Sequence, residues 1–258
     1  MKLLITDDSI RHRYFVLKIL QKFSDVFWIH GHRNRLQYYQ ISNQDEMIQH
    51  FKDLAETEKF FFETDVCTQT EILLQRRLGT FHENEINSYK FFKFINNLNP
   101  ECIITYSIPI ITSDLLNLNI WGVHAGLLPY YKGSTTNIMP IVHNKPEYIG
   151  MTIFKLSRLI DEGKVILQRR PAICSLDDSH AIGCKNTILA SKMVIELFTY
   201  LNSGKTIISL DQKEISSEGA TYYKKDFNLQ NLRKMNYNIK NGIFRNYKDK
   251  QINIKTEI

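Results

Sequence analysis

The stretch Ile120-Trp-Gly-Val-His124, continuing as Ala-Gly-Leu-Leu-Pro-Tyr-Tyr-Lys-Gly-Ser134, constrains this chain more than any other. A short apolar run that ends on an imidazole and breaks at once into glycine and proline reads as a buried strand delivering a histidine to a sheet edge. Further on, Leu159-Ile-Asp-Glu-Gly-Lys-Val-Ile166 sets a carboxylate in a glycine-containing turn before a second apolar run. Taken alone, a histidine at a strand end or an aspartate in a hairpin turn is ordinary structural chemistry. Together, His124 and Asp161 form a candidate pair that a sheet-based fold brings from distant sequence to one reaction centre.

The order of segments predicts an α/β fold. Lys2–Thr6 reads as an apolar strand, and Asp7-Asp-Ser9 as a polar turn that caps a helix around Tyr14–Phe23. Asp25–His30 reads as a second strand, so the opening predicts a right-handed parallel crossover. Residues 36 to 98 read as mainly helical, with Phe60–Phe62 and Phe91–Phe94 assigned to core. Asn99-Pro100 ends the helix before a buried central strand, Cys102–Tyr106, and Asp114-Leu-Leu begins a short helix. Gly150–Leu156 and Lys164–Gln168 flank the Asp161 turn as an antiparallel pair, and Ala181–Leu201 has a strong helical pattern with Gly204 past its end. Residues 205 to 258 are rich in Lys, Asn, Ile and Tyr and read as short strand-like pieces without a long helix. The expected organisation is a main domain over 1–205 and a small C-terminal subdomain or tail over 206–258.

Composition excludes several classes. With 258 residues, 43% hydrophobic and 23% charged, the chain is long enough for a full core and ordinary for a globular protein. No run approaches the ~18 apolar residues of a membrane span, and the N-terminus turns acidic at Asp7-Asp8, so a cytoplasmic protein without a membrane role is expected. Cys67, Cys102, Cys174 and Cys184 are scattered, which argues against a disulfide framework or a zinc site, and no metal is expected. The net charge of +6 is dispersed, so it reads as solvated surface rather than a nucleic-acid face, and it also suits a phosphate-bearing small molecule. Arg11-His-Arg13 reads as a solvated basic cluster rather than an anion site, and His143 and His180 as surface residues.

The sequence from about residue 100 to 205 resembles the folate-dependent formyltransferase family. In that family an apolar strand leads into Asn-x-His, then Leu-Leu-Pro-x-Tyr-x-Gly, then Gly-x-Thr before an Asp-x-Gly turn. The matching residues are His124, Leu127-Leu-Pro-Tyr-Tyr-Lys-Gly133, Gly150-Met-Thr152 and Asp161-Glu-Gly163. The resemblance implies a Rossmann-like domain with a mainly parallel central sheet, and N10-formyltetrahydrofolate as formyl donor. It implies that His124 acts as general acid or oxyanion stabiliser when an amine attacks the formyl carbon, with Asp161 holding the imidazole and helping to remove the amine proton. Tyr106, Ser107, Ile108, Pro109 and Ile110 match the segment that lines the pterin pocket through backbone groups. Lys132 falls where the family is often basic and is weighed equally between substrate phosphate and solvation.

One position departs from the pattern. The family's Asn, two residues before the His, falls on Gly122, and losing such an oxyanion donor costs ~2.7–4 kcal/mol. Three explanations are open: Asn137 lends its amide from the next loop, an ordered water takes the vacated volume, or the member is impaired or altered.

Three substrate classes resemble this chain: ribonucleotide, initiator-tRNA and sugar N-formyltransferases. The loop Tyr130-Tyr-Lys-Gly-Ser134 and the later Tyr222-Tyr-Lys-Lys-Asp-Phe227 look most like the sugar enzymes. The expected acceptor is therefore a nucleotide-linked amino sugar held by Tyr130, Tyr131, Lys132, Gly133 and Ser134, for polysaccharide or glycan synthesis, with a homodimer implied by analogy. A formyl-donor hydrolase and a weakly catalytic binding homologue remain the alternatives, because of Gly122.

Overall fold

The computed structural model describes residues 1–32, 44–245, 247 and 250–258. Strand β1 (Lys2–Asp7) is buried along its whole length, as a central parallel strand must be. It feeds helix α1 (Ile10–Leu20), and β2 (Val26–His32) returns parallel to β1. Helices α2 (Asp45–Thr68) and α3 (Thr70–Arg76) lead to β3 (Arg77–His82), and α4 (Tyr89–Leu98) leads to β4 (Cys102–Tyr106), which pairs with β1. A 3-10 turn at Asp114–Asn117 precedes β5 (Ile120–His124). Strand β7 (Met151–Lys155) adds antiparallel to β5, and β8 (Val165–Arg169) adds antiparallel to β7. The seven-stranded sheet runs β3-β2-β1-β4-β5-β7-β8, mostly parallel, an α/β architecture of the Rossmann-like kind.

Helices cover both faces. Leu4, Trp28 and Trp121 pack with Phe15 of α1 and with Met193, Leu197 and Phe198 of the long helix α6 (Ser179–Asn202). Leu3, Ile5, Ile103 and Ile120 pack on the other face with Phe91 and Ile95 of α4. Among the described residues, no helix is long and apolar enough to cross a membrane.

Four expectations change. The helical reading of 36–98 fails at Arg77–His82, which is the edge strand β3. Only Phe81 of that strand is buried, so it carries no alternation to reveal it. Residues 36 to 43 of that reading lie outside the described residues. Phe60 and Phe94, read as core, are 86% and 40% exposed, whereas Phe62 and Phe91 are buried. The last segment does hold a longer helix, α8 (Leu229–Lys240), packed through Leu232 and Met235 near the short helix α5 (Met139–Val142). Asn238 of α8 donates to the Ile141 carbonyl at 2.8 Å. Strand β9 (Ala220–Tyr222) pairs parallel with β6 (Tyr131–Gly133), so the last segment is joined by backbone bonds to the loop that follows His124.

Candidate active site

Strand order reverses between β1 and β4, and ligands of open α/β sheets bind outside the carboxyl ends at such a point. A cavity of about 640 Å³ lies there, along the ends of β4 and β5.

Side chains alternate along β5, so Gly122 and His124 share the face that carries Ile120. His124 is 8% exposed. Its Nε2 lies 2.7 Å from the Tyr131 carbonyl oxygen, and its Nδ1 lies 3.4 Å from Oδ2 of Asp161. Both ring nitrogens face oxygen acceptors, so a ring donating on both sides satisfies both. The Nδ1 contact is longer than an ordinary hydrogen bond and is the looser of the two.

Asp161 reaches the cavity from the β7–β8 connection in the left-handed region, at φ 54, a conformation aspartate tolerates better than most residues. Its Oδ2 also accepts the Gly133 N–H at 2.7 Å. Position 133 must be glycine: φ is +89, and an added Cβ would lie 2.1 Å from the Tyr222 carbonyl. The turn is held from outside the sheet as well. Gln212, in the short helix α7 (Gln212–Ile215), donates to the carbonyls of Asp161 at 2.5 Å and Gly163 at 2.9 Å.

The expected pterin segment, Tyr106, Ser107, Ile108, Pro109 and Ile110, lines the same cavity. Ser107 sits at φ 56 and turns the chain as it leaves β4. Burial raises the Tyr106 hydroxyl above the ordinary phenol range, against the pull of nearby Arg11.

The predicted acceptor residues divide. Gly133 and Ser134 line the cavity, as does Asn137, the expected carboxamide donor, which makes no side-chain hydrogen bond among the described residues. The other three do not line it. The Tyr130 hydroxyl donates to the Asn253 carbonyl, Tyr131 is 5% exposed and stacks on Tyr222, and Lys132 pairs with Glu162 at 2.5 Å. Lys132 is thus engaged by a carboxylate.

At Gly122 an added Cβ would meet Phe154 Cε1 at 2.6 Å and Leu156 Cδ2 at 2.8 Å. These side chains occupy the space that a side chain at 122 would enter, while Gly122 itself lines the cavity.

Other cavity residues were not assigned to the site from sequence, among them Arg11, Gly183 and Asn186. Arg11 had a signal, a basic cluster directly after the first strand; Gly183 and Asn186 lie inside a regular helical pattern and had none. The solvated-cluster reading of Arg11-His-Arg13 is corrected. His12 is fully buried with Nδ1 2.6 Å from Ser9 Oγ, and Arg13 clasps both oxygens of Asp8 at 2.7 and 3.0 Å. His180 is not a surface residue either. It is 9% exposed and packs on His50, with ring centroids 4.5 Å apart.

Among the described residues, one group has the composition of a metal site, Asp8 with His30 and His32. None of the three lines the cavity at β4 and β5, and both oxygens of Asp8 are engaged by Arg13.

The family model described as formyl transferase matches residues 41–197. A methionyl-tRNA formyltransferase of Kosmotoga olearia is 31% identical over 152 residues, 57% of this chain and 47% of that protein. The chain spans about half the length of the curated relatives it matches. Among solved structures, a sugar N-formyltransferase from Shewanella sp. FDAARGOS_354 superposes with a TM-score of 0.60 at 18% identity, over 93% of this chain and 87% of that one. The N-formyltransferase from Helicobacter canadensis, in complex with folinic acid and dTDP-3-aminofucose, superposes with a TM-score of 0.55 at 15% identity, over 93% of this chain and 80% of that one. At these identities the structural likeness establishes the fold.

Proposed function

Because the chain belongs to the formyl transferase family, we propose that it transfers a formyl group from N10-formyltetrahydrofolate to the amine of a nucleotide-linked amino sugar. The observation that carries this reading is the approach of His124 Nδ1 to Asp161, 3.4 Å, at the wall of a cavity also lined by residues 106–110. The cavity suits the donor: its volume lies within the ~300–1,000 Å³ of small-molecule sites, and Ile108, Pro109 and Leu116 offer an apolar wall to a flat ring. When bound, the donor supplies the formyl carbon.

The residues of the chain then divide the work. Both ring nitrogens already face acceptors, so His124 exchanges the Tyr131 carbonyl at Nε2 for the oxygen that gains charge as the amine adds to that carbon, and donates a proton or a hydrogen bond to it. Asp161 fixes the ring through Nδ1 and accepts the proton that the attacking amine loses; the bond from the formyl carbon to the donor nitrogen then breaks, and a proton returns to that nitrogen as tetrahydrofolate leaves. Its own position is set by the Gly133 N–H and by Gln212. Asn137 is the carboxamide at hand in place of the family's Asn, since Phe154 and Leu156 occupy the space that a side chain at 122 would enter. Residues 206–258 serve as an appended segment that secures the loop at 129–134 and the Asp161 turn.

A second reading is favoured by one observation: the sequence relatives are methionyl-tRNA formyltransferases. A tetrahydrofolate-release assay over dTDP-, UDP- and GDP-linked amino sugars, glycinamide ribonucleotide and methionyl-tRNA decides between them. Turnover confined to an amino sugar supports the first reading, turnover confined to the tRNA replaces it, and formate release without any amine makes the protein a hydrolase.

A further inference from the structure

The cavity has a second polar wall, built by α1 and α6 on the side of the sheet away from His124. Asn186 is 2% exposed, and neither its carboxamide nitrogen nor its oxygen has a hydrogen-bond partner among the described residues. Such a group gives up its hydrogen bonds to water and gains none in return. Arg11 shares this wall: its Nη1 lies 3.2 Å from the buried carboxylate of Glu58, while its Nε is buried without a hydrogen bond.

Gly183 supplies an independent observation. It stands one turn before Asn186, within α6, and lines the same cavity. A glycine inside a helix destabilises it relative to alanine. Elsewhere in this chain the glycines of the site are explained by crowding, as at Gly122 and Gly133, but a Cβ on Gly183 would meet nothing within 4 Å. Packing does not call for glycine here, whereas free space over the helix does serve a ligand.

We propose that Arg11, Gly183 and Asn186 form the acceptor's phosphate-and-hydroxyl subsite. The guanidinium meets a phosphate oxygen, the carboxamide accepts from one hydroxyl and donates to another, and Gly183 leaves the volume they occupy. A guanidinium suits phosphate geometry, and an amide that offers both a donor and an acceptor complements hydroxyls. Lys132, the basic residue of the acceptor loop, does not line the cavity, whereas Arg11 does. This inference rests on the acceptor being phosphorylated, as the proposed function has it.

Calorimetric titration tests it, with UDP, dTDP and GDP as probes and 5-formyltetrahydrofolate as the control for the other half of the cavity. Arg11→Gln, Asn186→Leu and Gly183→Leu each weaken nucleotide binding at least tenfold and leave folate binding within twofold, while Lys132→Gln changes neither. Gly183→Leu is the decisive variant, because leucine favours the helix and enters empty space, so its melting temperature holds or rises. Wild-type affinity in a folded Gly183→Leu and in Asn186→Leu overturns the inference and leaves the amino-sugar reading intact. If the wild type binds none of the nucleotides, the amino-sugar reading falls, and inorganic pyrophosphate becomes the probe. Binding that Arg11→Gln weakens then supports the subsite, and no binding overturns it too.

Discussion

The two walls of the cavity are built on opposite terms. Around His124, every polar group that sets the ring has its partner already: the Tyr131 carbonyl, the Asp161 carboxylate, and behind that the Gly133 N–H and Gln212. Around Asn186, the polar atoms are buried and unpaired. The difference teaches what each wall is for. A group that acts on charge appearing during reaction is useful when its geometry is fixed beforehand, since no reorganisation is then needed. A group that recognises a ligand has to keep its bonding capacity for that ligand.

The largest expected effect breaks the fixed wall. His124→Ala lowers kcat for formyl transfer by ~10²–10⁴-fold, measured by tetrahydrofolate release, with nucleotide affinity unchanged. Asp161→Asn is the gentler version. Asparagine tolerates the left-handed backbone and keeps an oxygen for the Gly133 N–H, so the loss is smaller and reports on charge alone. If both variants retain wild-type kcat, this wall is not the reaction centre.

Asn137→Ala comes next. If its amide stands in for the family's Asn, kcat falls by about 10²-fold, the usual cost of one oxyanion donor, and KM for the acceptor holds. A rise in KM with kcat unchanged moves Asn137 from the first wall to the recognising group.

Gly122→Asn sharpens the comparison through stability. The added side chain must displace the ends of Phe154 and Leu156, an overpacking of about 1–3 kcal/mol, or several degrees in Tm at ~2–4 °C per kcal/mol. An unchanged Tm in thermal denaturation means that the two side chains move aside freely, and the space they occupy is then available to substrate.

The smallest effect concerns the root of the open wall. His180 begins α6 and packs against His50, whose pKa burial, and then the charge of His180, press down to about 4. Asp53 and Asp178 oppose that shift, and Phe227 from the last segment closes over the ring. A histidine held neutral in the fold stabilises fully above its unfolded value of 6.5, and that contribution fades as pH falls from there towards 4. The wild type is therefore expected to lose more Tm between pH 7 and pH 5 than His50→Phe. Equal losses in both proteins would remove His50 from the account.

How much of this was legible in the sequence follows from where each signal resides. His124 ends one apolar strand and Asp161 sits in the turn between two others, so the strands that place them announce themselves, and the sheet does the rest. The Pro-containing exit from β4 was legible for the same reason. Asn186 was not, because a polar residue inside a helical pattern reads as solvent-facing until the packing of α1 against α6 is known. The edge strand β3 lacks a buried face, and α8 buries only Leu232 and Met235 amid lysine and asparagine, so neither carries a periodicity strong enough to read. The ties of Tyr130 to Asn253 and of Tyr131 to Tyr222 depend on residues of the last segment, and no local pattern encodes them.

The grip of Gln212 on the Asp161 turn, with Tyr222 against Gly133, has a consequence in time. A ribosome delivers His124 and Asp161 long before it delivers Gln212. A nascent chain that has emerged only as far as α6 therefore has the Gly133 N–H on the Asp161 carboxylate but lacks the second clasp behind the turn. A product cut short after α6 would keep both side chains and lose the support that arrives last.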